Sequence, residues 1–295
     1  MFVVTQAQAL RDANKILAEA GVTSAQNDAS LLLAFALGIA RTQLDPFAEL
    51  SDEAKQEFEN LISKRAKRIP LQHLTGQAYF RHITLRVGAG VFIPRPETEL
   101  LAQAGIDYLN SIPSPRLAVD LCAGSGAVAL SMAIEAPNTT VHAIEFSQEA
   151  FTWLQQNVED HSSQLSAVGS KVICYLADAT DQTVLAQLEG QVDVVLSNPP
   201  YIPEAMIPRE PEARDYDPEM ALFSGPDGLD VARGVVLVAS LLLKQDGLFG
   251  MEHADVQGEE VPAILNQQGG WGSIRDNMDY NGLPRYATAF KAVRG

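Results

Sequence analysis

Residues 117–130 constrain the fold of this chain more than any other stretch. An apolar run, Leu117-Ala118-Val119-Asp120-Leu121, ends in Cys122-Ala123-Gly124-Ser125-Gly126, and the small residues Ala127-Val128-Ala129-Leu130 follow. This reads as a buried strand, a glycine turn and the opening of a helix. A second apolar run, Val141-His142-Ala143-Ile144, ends in Glu145, about 20 residues beyond the turn. Strand, helix and strand at this spacing predict a doubly wound α/β sheet that binds ligands at the carboxyl ends of its strands. Gly124 and Gly126 let a backbone approach a ligand closely. Glu145 stands where a carboxylate takes ribose hydroxyls in nucleotide-binding folds. Gly124, Gly126 and Ala129 also satisfy a relaxed dinucleotide fingerprint, so a nicotinamide-dependent dehydrogenase is one rival. Asp120 argues against it, because a carboxylate there opposes a pyrophosphate but suits an ammonium group.

A further buried strand, Val192-Asp193-Val194-Val195-Leu196, runs into Ser197-Asn198-Pro199-Pro200-Tyr201. Proline cannot donate to a ladder, and a residue before proline is held extended. The product is a stiff bend whose carbonyl oxygens no helix or sheet consumes. The Asn198 amide oxygen adds an acceptor, and Tyr201 adds an aromatic face. Such a wall suits a planar –NH2 group with two hydrogens to place. An amide nitrogen is a poor nucleophile because its lone pair is delocalised, as the rotational barrier of ~18–20 kcal/mol records. Accepting both hydrogens at fixed positions orients the nitrogen and needs no strong base.

Residues 1–75 read as a small helical domain. Thr5 and Gln8 form a candidate capping box, and Gly21 stops the first helix. Ser24 opens a second helix that Gly38 ends. A third starts at Ser51-Asp52-Glu53 and finishes in Lys64-Arg65-Ala66-Lys67-Arg68, where cations complement the helix dipole. Residues 76–93 read as a β-hairpin linker, with a turn at Gly88-Ala89-Gly90 before Val91-Phe92-Ile93. Residues 94–295 form the α/β domain. Within it, Asp178 and Ala179 follow a strand at 171–176, a helix at 235–243 precedes a strand at 248–252, and 271–290 closes as a hairpin around Asn281-Gly282. Residues 203–217, rich in proline and acids, read as a surface loop beside the Asn-Pro-Pro-Tyr bend.

The net charge of −16 and a pI near 4.6 disfavour a protein that grips nucleic acid, whose contact face is basic. Lys and Arg are sparse after the bend. The five His have no metal-ligand spacing, so no metal is expected. Cys122 and Cys174 fall on strands that are not neighbours in such a sheet, which predicts free thiols in a reducing cytosol. No apolar run reaches membrane-spanning length. The expectation is a cytoplasmic monomer with no membrane contact and no direct DNA binding.

A glycine loop followed two strands later by Asn-Pro-Pro-Tyr resembles the class I S-adenosylmethionine-dependent methyltransferases of amino groups. One branch methylates adenine in DNA, and the other methylates glutamine side chains in proteins. Pro70-Leu71-Gln72-His73-Leu74-Thr75-Gly76, Phe92-Ile93-Pro94-Arg95-Pro96-Glu97-Thr98-Glu99, Ser197-Asn198-Pro199-Pro200-Tyr201-Ile202-Pro203 and Gly225-Pro226-Asp227-Gly228-Leu229-Asp230 narrow the match. They look like the peptide chain release factor glutamine methyltransferase (PrmC/HemK) family. The Arg-Pro-Glu-Thr-Glu stretch favours it over the sibling family that modifies a ribosomal protein. The resemblance spans the chain from the helical region to the C-terminus. It implies a mostly parallel sheet of order 3-2-1-4-5-7-6 and a substrate, the glutamine of the Gly-Gly-Gln motif in class-1 release factors. S-adenosylmethionine is the implied donor and S-adenosylhomocysteine the product. Asp120, Cys122, Ala123, Gly124, Ser125, Gly126, Glu145, Asp178, Ala179 and Asn198 are the implied cofactor residues. Asn198, Pro199 and Tyr201 are the implied catalytic set, with Pro200 beside them against the substrate amide. The chain departs from the family pattern at Cys122 (usually Gly), at Ala123 or Ser125 (Thr), at Glu145 (Asp) and at Ala179 (often aromatic). An adenine-specific nucleic-acid methyltransferase is the main alternative, and a non-enzymatic cofactor scaffold leaves the acceptor wall without a purpose.

Overall fold

The computed structural model describes residues 4–208 and 210–292. The outer ends of the expected first and last domains, residues 1–3 and 293–295, lie outside the described residues. In chain order, the elements begin with α1 (Gln6–Glu19), α2 (Ala25–Leu37), α3 (Asp52–Ala66), α4 (Leu71–Thr75), β1 (Gln77–Phe80) and β2 (Ile83–Arg86). Next come α5 (Thr98–Ser111), β3 (Arg116–Leu121), α6 (Ala127–Glu135), β4 (Thr139–Glu145), α7 (Gln148–Asp160), α8 (Ser162–Ala167), β5 (Lys171–Leu176) and β6 (Val192–Ser197). The chain continues with α9 (Pro211–Tyr216), α10 (Glu219–Leu222), α11 (Asp230–Leu242), β7 (Leu243–Glu252), α12 (Glu260–Gln268), β8 (Trp271–Met278) and β9 (Pro284–Lys291). It divides into two compact units, Met1–Gln77 with Pro208–Tyr216, and Ala78–Ile207 with Asp217–Gly295.

The first unit is helical. The Thr5 hydroxyl accepts the Gln8 N–H at 3.3 Å and starts α1. The Gln8 side chain turns to Asp12 instead of back to Thr5, so the expected capping box is only half made. Ser51 caps α3 through the Ala54 N–H at 3.2 Å, and Gly38 ends α2 in the left-handed conformation. Leu17, Leu32, Leu33, Phe58, Leu61 and Ile62 form the core. Residues 203–217 depart from the expected surface loop. Within them α9 belongs to the helical unit, where Glu212 bonds Arg65 at 2.8 Å and Arg68 at 2.5 Å. Burial raises the Glu212 carboxyl, but the Arg68 and Arg65 hydrogen bonds outweigh it and hold the group at about 2. The basic end of α3 is therefore a docking point for α9 as well as a dipole complement. No short-range pattern could reveal an ion pair between residues so far apart in sequence.

The second unit carries a seven-stranded sheet of order β5-β4-β3-β6-β7-β9-β8. Counted from β3, this is 3-2-1-4-5-7-6. Strands β3 to β7 are mutually parallel, and β9 runs antiparallel to both β7 and β8. A parallel sheet covered on both faces needs apolar residues on both. Ala118, Val194 and Leu196 pack on one face, with α5, α6 and the hairpin residues Phe80 and Leu85. Val119, Leu121 and Val195 pack on the other, with Val235 and Leu242 of α11. The hairpin is β1 with β2 and turns at Arg81-His82. Residues 91–93, expected as a strand, form none; Val91 and Ile93 are buried in the core between Gly90 and Pro94, and Pro94 has no N–H for a ladder. Cys122 and Cys174 are free, and β4 lies between their strands.

Arg65 is 7% exposed and also bonds Asp28, itself 5% exposed, at 2.9 Å. Removing one partner of a buried pair strands the other charge. Arg65→Ala should cost about 3–5 kcal/mol in a denaturant titration, and Arg68→Ala, at a more exposed site, should cost less. Equal losses in the two variants would contradict the buried role of Arg65.

Candidate active site

Strand β3 delivers the chain to a tight turn at the sheet edge. Cys122, Gly124 and Gly126 all have positive φ, at 66°, 55° and 88°. A Cβ in the left-handed region costs roughly 1–2 kcal/mol, a cost that Cys122 bears and the two glycines avoid. The two glycines serve different ends. A Cβ on Gly124 would meet open space, whereas one on Gly126 would strike Leu154 of α7 at 2.7 Å. Gly126 opens α6 and packs; it does not line the cavity.

A cavity of about 360 Å³ lies at the carboxyl ends of β3 to β6. Asp120, Cys122, Ala123, Gly124 and Ser125 line it from the turn. Glu145 enters after β4, Asp178 and Ala179 after β5, and Asn198, Pro200 and Tyr201 after β6. Pro199 is buried and is not among the lining residues. The lining holds three carboxylates, Asp120, Glu145 and Asp178, and no Lys, Arg or His. A cavity charged in this way favours a cation and repels a phosphate.

Each carboxylate is fixed by backbone. Glu145 accepts the Gly124 N–H at 2.8 Å and the Ser147 N–H at 2.7 Å, which ties the second strand to the glycine turn. Burial still raises its pKa. Asp120 accepts the Ala129 N–H of α6 at 2.9 Å. Burial pushes its carboxyl up to about 8 against that hydrogen bond, and the Glu145 charge adds to the rise. Asp178 closes a local turn onto the Thr180 N–H and hydroxyl, at 2.8 and 2.7 Å.

Asn198 Nδ2 donates to the Thr98 hydroxyl at 3.2 Å, so the amide NH2 points away from its own acceptor end. Among the described residues, no hydrogen bond uses Asn198 Oδ1 or the Pro199 carbonyl. The Tyr201 carbonyl is occupied instead, accepting Gln257 Nε2 at 3.0 Å. Thr98 and Phe92 line the cavity and were absent from the sequence-based site. Their signal is the Phe-Ile-Pro-Arg-Pro-Glu-Thr-Glu stretch, whose Thr98 reads as a helix start.

Parallel sheet, glycine turn and acidic cavity together define a Rossmann-like methyltransferase domain. Residues 98–207 match the family described as methyltransferase small domain, and residues 8–76 match the PrmC N-terminal domain. Among curated relatives, the release factor glutamine methyltransferase of Streptomyces coelicolor is 45% identical over 95% of this chain and 96% of its own. That of Bifidobacterium longum is 40% identical over 95% and 97%. The chain belongs to the release factor glutamine methyltransferase family. A more distant relative from Streptomyces pristinaespiralis, 34% identical over 90% of this chain and 89% of its own, is named as a 4-amino-L-phenylalanine/4-methylamino-L-phenylalanine methyltransferase. The hMettl16 catalytic domain shares the fold, with a TM-score of 0.53 at 14% identity over 80% of this chain and 83% of its own. No helix among the described residues is long and apolar enough to cross a membrane.

Asp120 ordinarily titrates at 3.8 and here near 8, so between those values the folded chain binds a proton that the unfolded chain releases. Its contribution to stability therefore falls as pH rises through that window. Asp120→Asn keeps an oxygen for the Ala129 N–H and removes the ionisation. Thermal unfolding across pH 5–9 should show a flatter decline in the variant, with a gain of about 1–3 kcal/mol at the alkaline end. Parallel curves for variant and parent would refute the raised pKa.

Proposed function

We propose that this chain methylates the side-chain amide nitrogen of the glutamine in the Gly-Gly-Gln motif of class-1 peptide chain release factors, with S-adenosylmethionine as donor. One observation carries the reading: an unused amide acceptor, Asn198 Oδ1, at the edge of a cavity lined by carboxylates and no basic side chain. A donor bearing a sulfonium and an ammonium group fits that charge, and a dinucleotide pyrophosphate does not. The names of the relatives, release factor glutamine methyltransferases, support the choice of acceptor.

When bound, S-adenosylmethionine supplies an electrophilic methyl group on a positively charged sulphur. The chain's own residues do the rest. Gly124, bare of a side chain and facing open space, admits the amino-acid part of the donor, with Asp120 and the turn residues 122, 123 and 125 around it. Glu145, held by two backbone N–H groups, keeps free lone pairs for ribose hydroxyls. Asp178 and Ala179 flank the adenine, with Asp178 as acceptor for its amine. Asn198 Oδ1 and the Pro199 carbonyl accept the two hydrogens of the glutamine amide. Pro200 and Tyr201 pack against it. With both hydrogens held in place the nitrogen would meet the methyl carbon in line as the carbon–sulphur bond breaks; S-adenosylhomocysteine would leave and the nitrogen would give up one of its two protons to water, so the gain comes from positioning and preorganised dipoles. The same reading gives residues 1–75 the recognition of the release factor, 76–93 the role of linker, and 94–295 the transfer step.

A second reading is methylation of an aromatic primary amine, which the relative from Streptomyces pristinaespiralis suggests. An aryl –NH2 is also planar with two hydrogens. Incubation with labelled donor and either a release factor or 4-amino-L-phenylalanine separates the two. The label should appear on the Gly-Gly-Gln glutamine by mass spectrometry, and label on the amino acid alone would select the second reading.

Asn198→Ala should fold normally and lose on the order of 10²–10³ in kcat, as deletion of one preorganised polar contact does. Near-normal steady-state turnover would rule out the assigned role. Glu145→Ala should weaken S-adenosylmethionine by roughly 10–100-fold, the worth of hydrogen bonds to a charged acceptor. Calorimetry is the check, and an unchanged dissociation constant would remove Glu145 from the donor site.

A further inference from the structure

The connection after β7 grips the Asn-Pro-Pro-Tyr bend from outside the cavity. Between β7 and α12 the chain makes one turn of 3-10 helix, Asp255–Gln257. Gln257 is 4% exposed and is not among the cavity-lining residues. Each end of its amide is matched. Oε1 accepts the Ala254 N–H at 3.0 Å, and Nε2 donates to the Tyr201 carbonyl at 3.0 Å and to the Asp227 carbonyl at 3.4 Å. The far end of Tyr201 meets the same connection. Its hydroxyl donates to Oε1 of Glu252, a buried residue at the end of β7, at 3.4 Å. We propose that Gln257 is a positioning residue of the transfer site: by fixing the Tyr201 carbonyl it holds the Asn198 and Pro199 oxygens where the acceptor –NH2 needs them.

The direction of the hydrogen bonds makes the case. A backbone N–H only donates, so Ala254 takes the oxygen end of the Gln257 amide and leaves its two hydrogens for the two carbonyls. A flipped amide would set N–H against N–H and oxygen against two oxygens. The allowed orientation is the one that grips the bend, and the bend needs a grip from outside. Pro199 and Pro200 have no N–H, so nothing between Asn198 and Tyr201 can be tied down through its own backbone donors. Proline also leaves the ψ of the residue before it a range of about 40°, enough to swing a carbonyl out of place. An anchor on the Tyr201 carbonyl, three residues after Asn198, removes that freedom. Tyr201 and Asp227 lie outside every strand and helix, so these bonds serve the bend and its neighbouring turn, not the sheet. Gly228 is shaped around the same oxygen. A Cβ there would lie 2.3 Å from the Tyr201 carbonyl oxygen and 2.9 Å from Pro203 N, and would push apart the two carbonyls that share the Gln257 amide. This gives the Gly225-Pro226-Asp227-Gly228 stretch a purpose that its sequence does not explain.

The inference rests on glutamine-amide transfer as proposed above. Wild type, Gln257→Glu and Gln257→Met are assayed with release factor at saturating S-adenosylmethionine from pH 6 to pH 9, below the melting temperature of each, with donor affinity measured by calorimetry. At pH 9 both variants should lose roughly 10–100-fold in kcat, with donor Kd within about twofold of wild type. The carboxyl introduced by Gln257→Glu reports on the hydrogen bond itself. Protonated, it still accepts the Ala254 N–H and its O–H donates to the Tyr201 carbonyl; ionised, it has no hydrogen to give. Burial beside two carbonyls lifts its titration above that of an exposed glutamate. Relative to wild type at the same pH, kcat of Gln257→Glu should therefore recover by about fivefold or more towards pH 6, while that of Gln257→Met stays flat. The ratio at each pH cancels the titrations that all three proteins share, Asp120, Glu145 and Glu252 included, and recovery at pH 6 shows that Gln257→Glu is folded. Wild-type kcat in Gln257→Met with only its melting temperature lowered overturns the positioning role, and so does an equal, pH-independent loss in both variants; either result leaves the transfer reading standing. A wild-type chain that methylates no release factor sinks both.

Discussion

Where β6 leaves the sheet at Ser197, Pro199 and Pro200 allow the backbone almost no choice but to run on extended. That rigidity has a purpose only if the far end of the bend is also fixed. It is: the Ile202 N–H bonds the Leu222 carbonyl, the Ile202 carbonyl accepts the Ser224 N–H, and Gln257 takes the Tyr201 carbonyl. Two prolines at one end and a ring of hydrogen bonds at the other leave the oxygens between them with nowhere to relax. The Thr98 hydroxyl, which accepts Asn198 Nδ2, does for the Asn198 amide what the Gln257 side does for the backbone.

The cavity shows the same economy with charge. Its acidic groups are oriented by backbone N–H groups, not by basic side chains, so no cation of the protein balances them within the lining. Burial raises the pKa of both Asp120 and Glu145, and the Glu145 charge adds to the rise at Asp120. A cationic ligand relieves that strain and a further anion would add to it, which is why the charge of the lining discriminates between nucleotide-like ligands better than the glycine pattern does.

The helical unit uses charge in the opposite manner. Arg65 and Arg68 meet Asp28 and Glu212 with little exposure, and the pairs hold the short α9 to residues far earlier in the chain. A segment that follows the bend in sequence thus folds with the helices. Residues 208–216 are rich in proline and acids, and such composition on its own looks like loop. The ion pairs make it structure.

By itself the sequence determined the parts that depend on local patterns. The apolar strands, the glycine turn, the helix stops at Gly21 and Gly38, the parallel order and the Asn-Pro-Pro-Tyr bend all follow from periodicity, proline and glycine acting within a few residues. It also picked out the acids of the cavity lining, Asp120, Glu145 and Asp178, because strand ends in such a sheet converge at one end. Contacts between residues distant in the chain were decided only by the tertiary structure. Residues 91–93 alternate like a strand yet serve the core. Gly126 carries the pattern of a ligand glycine yet makes room for Leu154. Glu252 is unremarkable in sequence and reaches the Tyr201 hydroxyl only once β7 lies beside β6. A pattern records what a residue prefers; a buried carboxyl acquires its role from the groups that folding places around it.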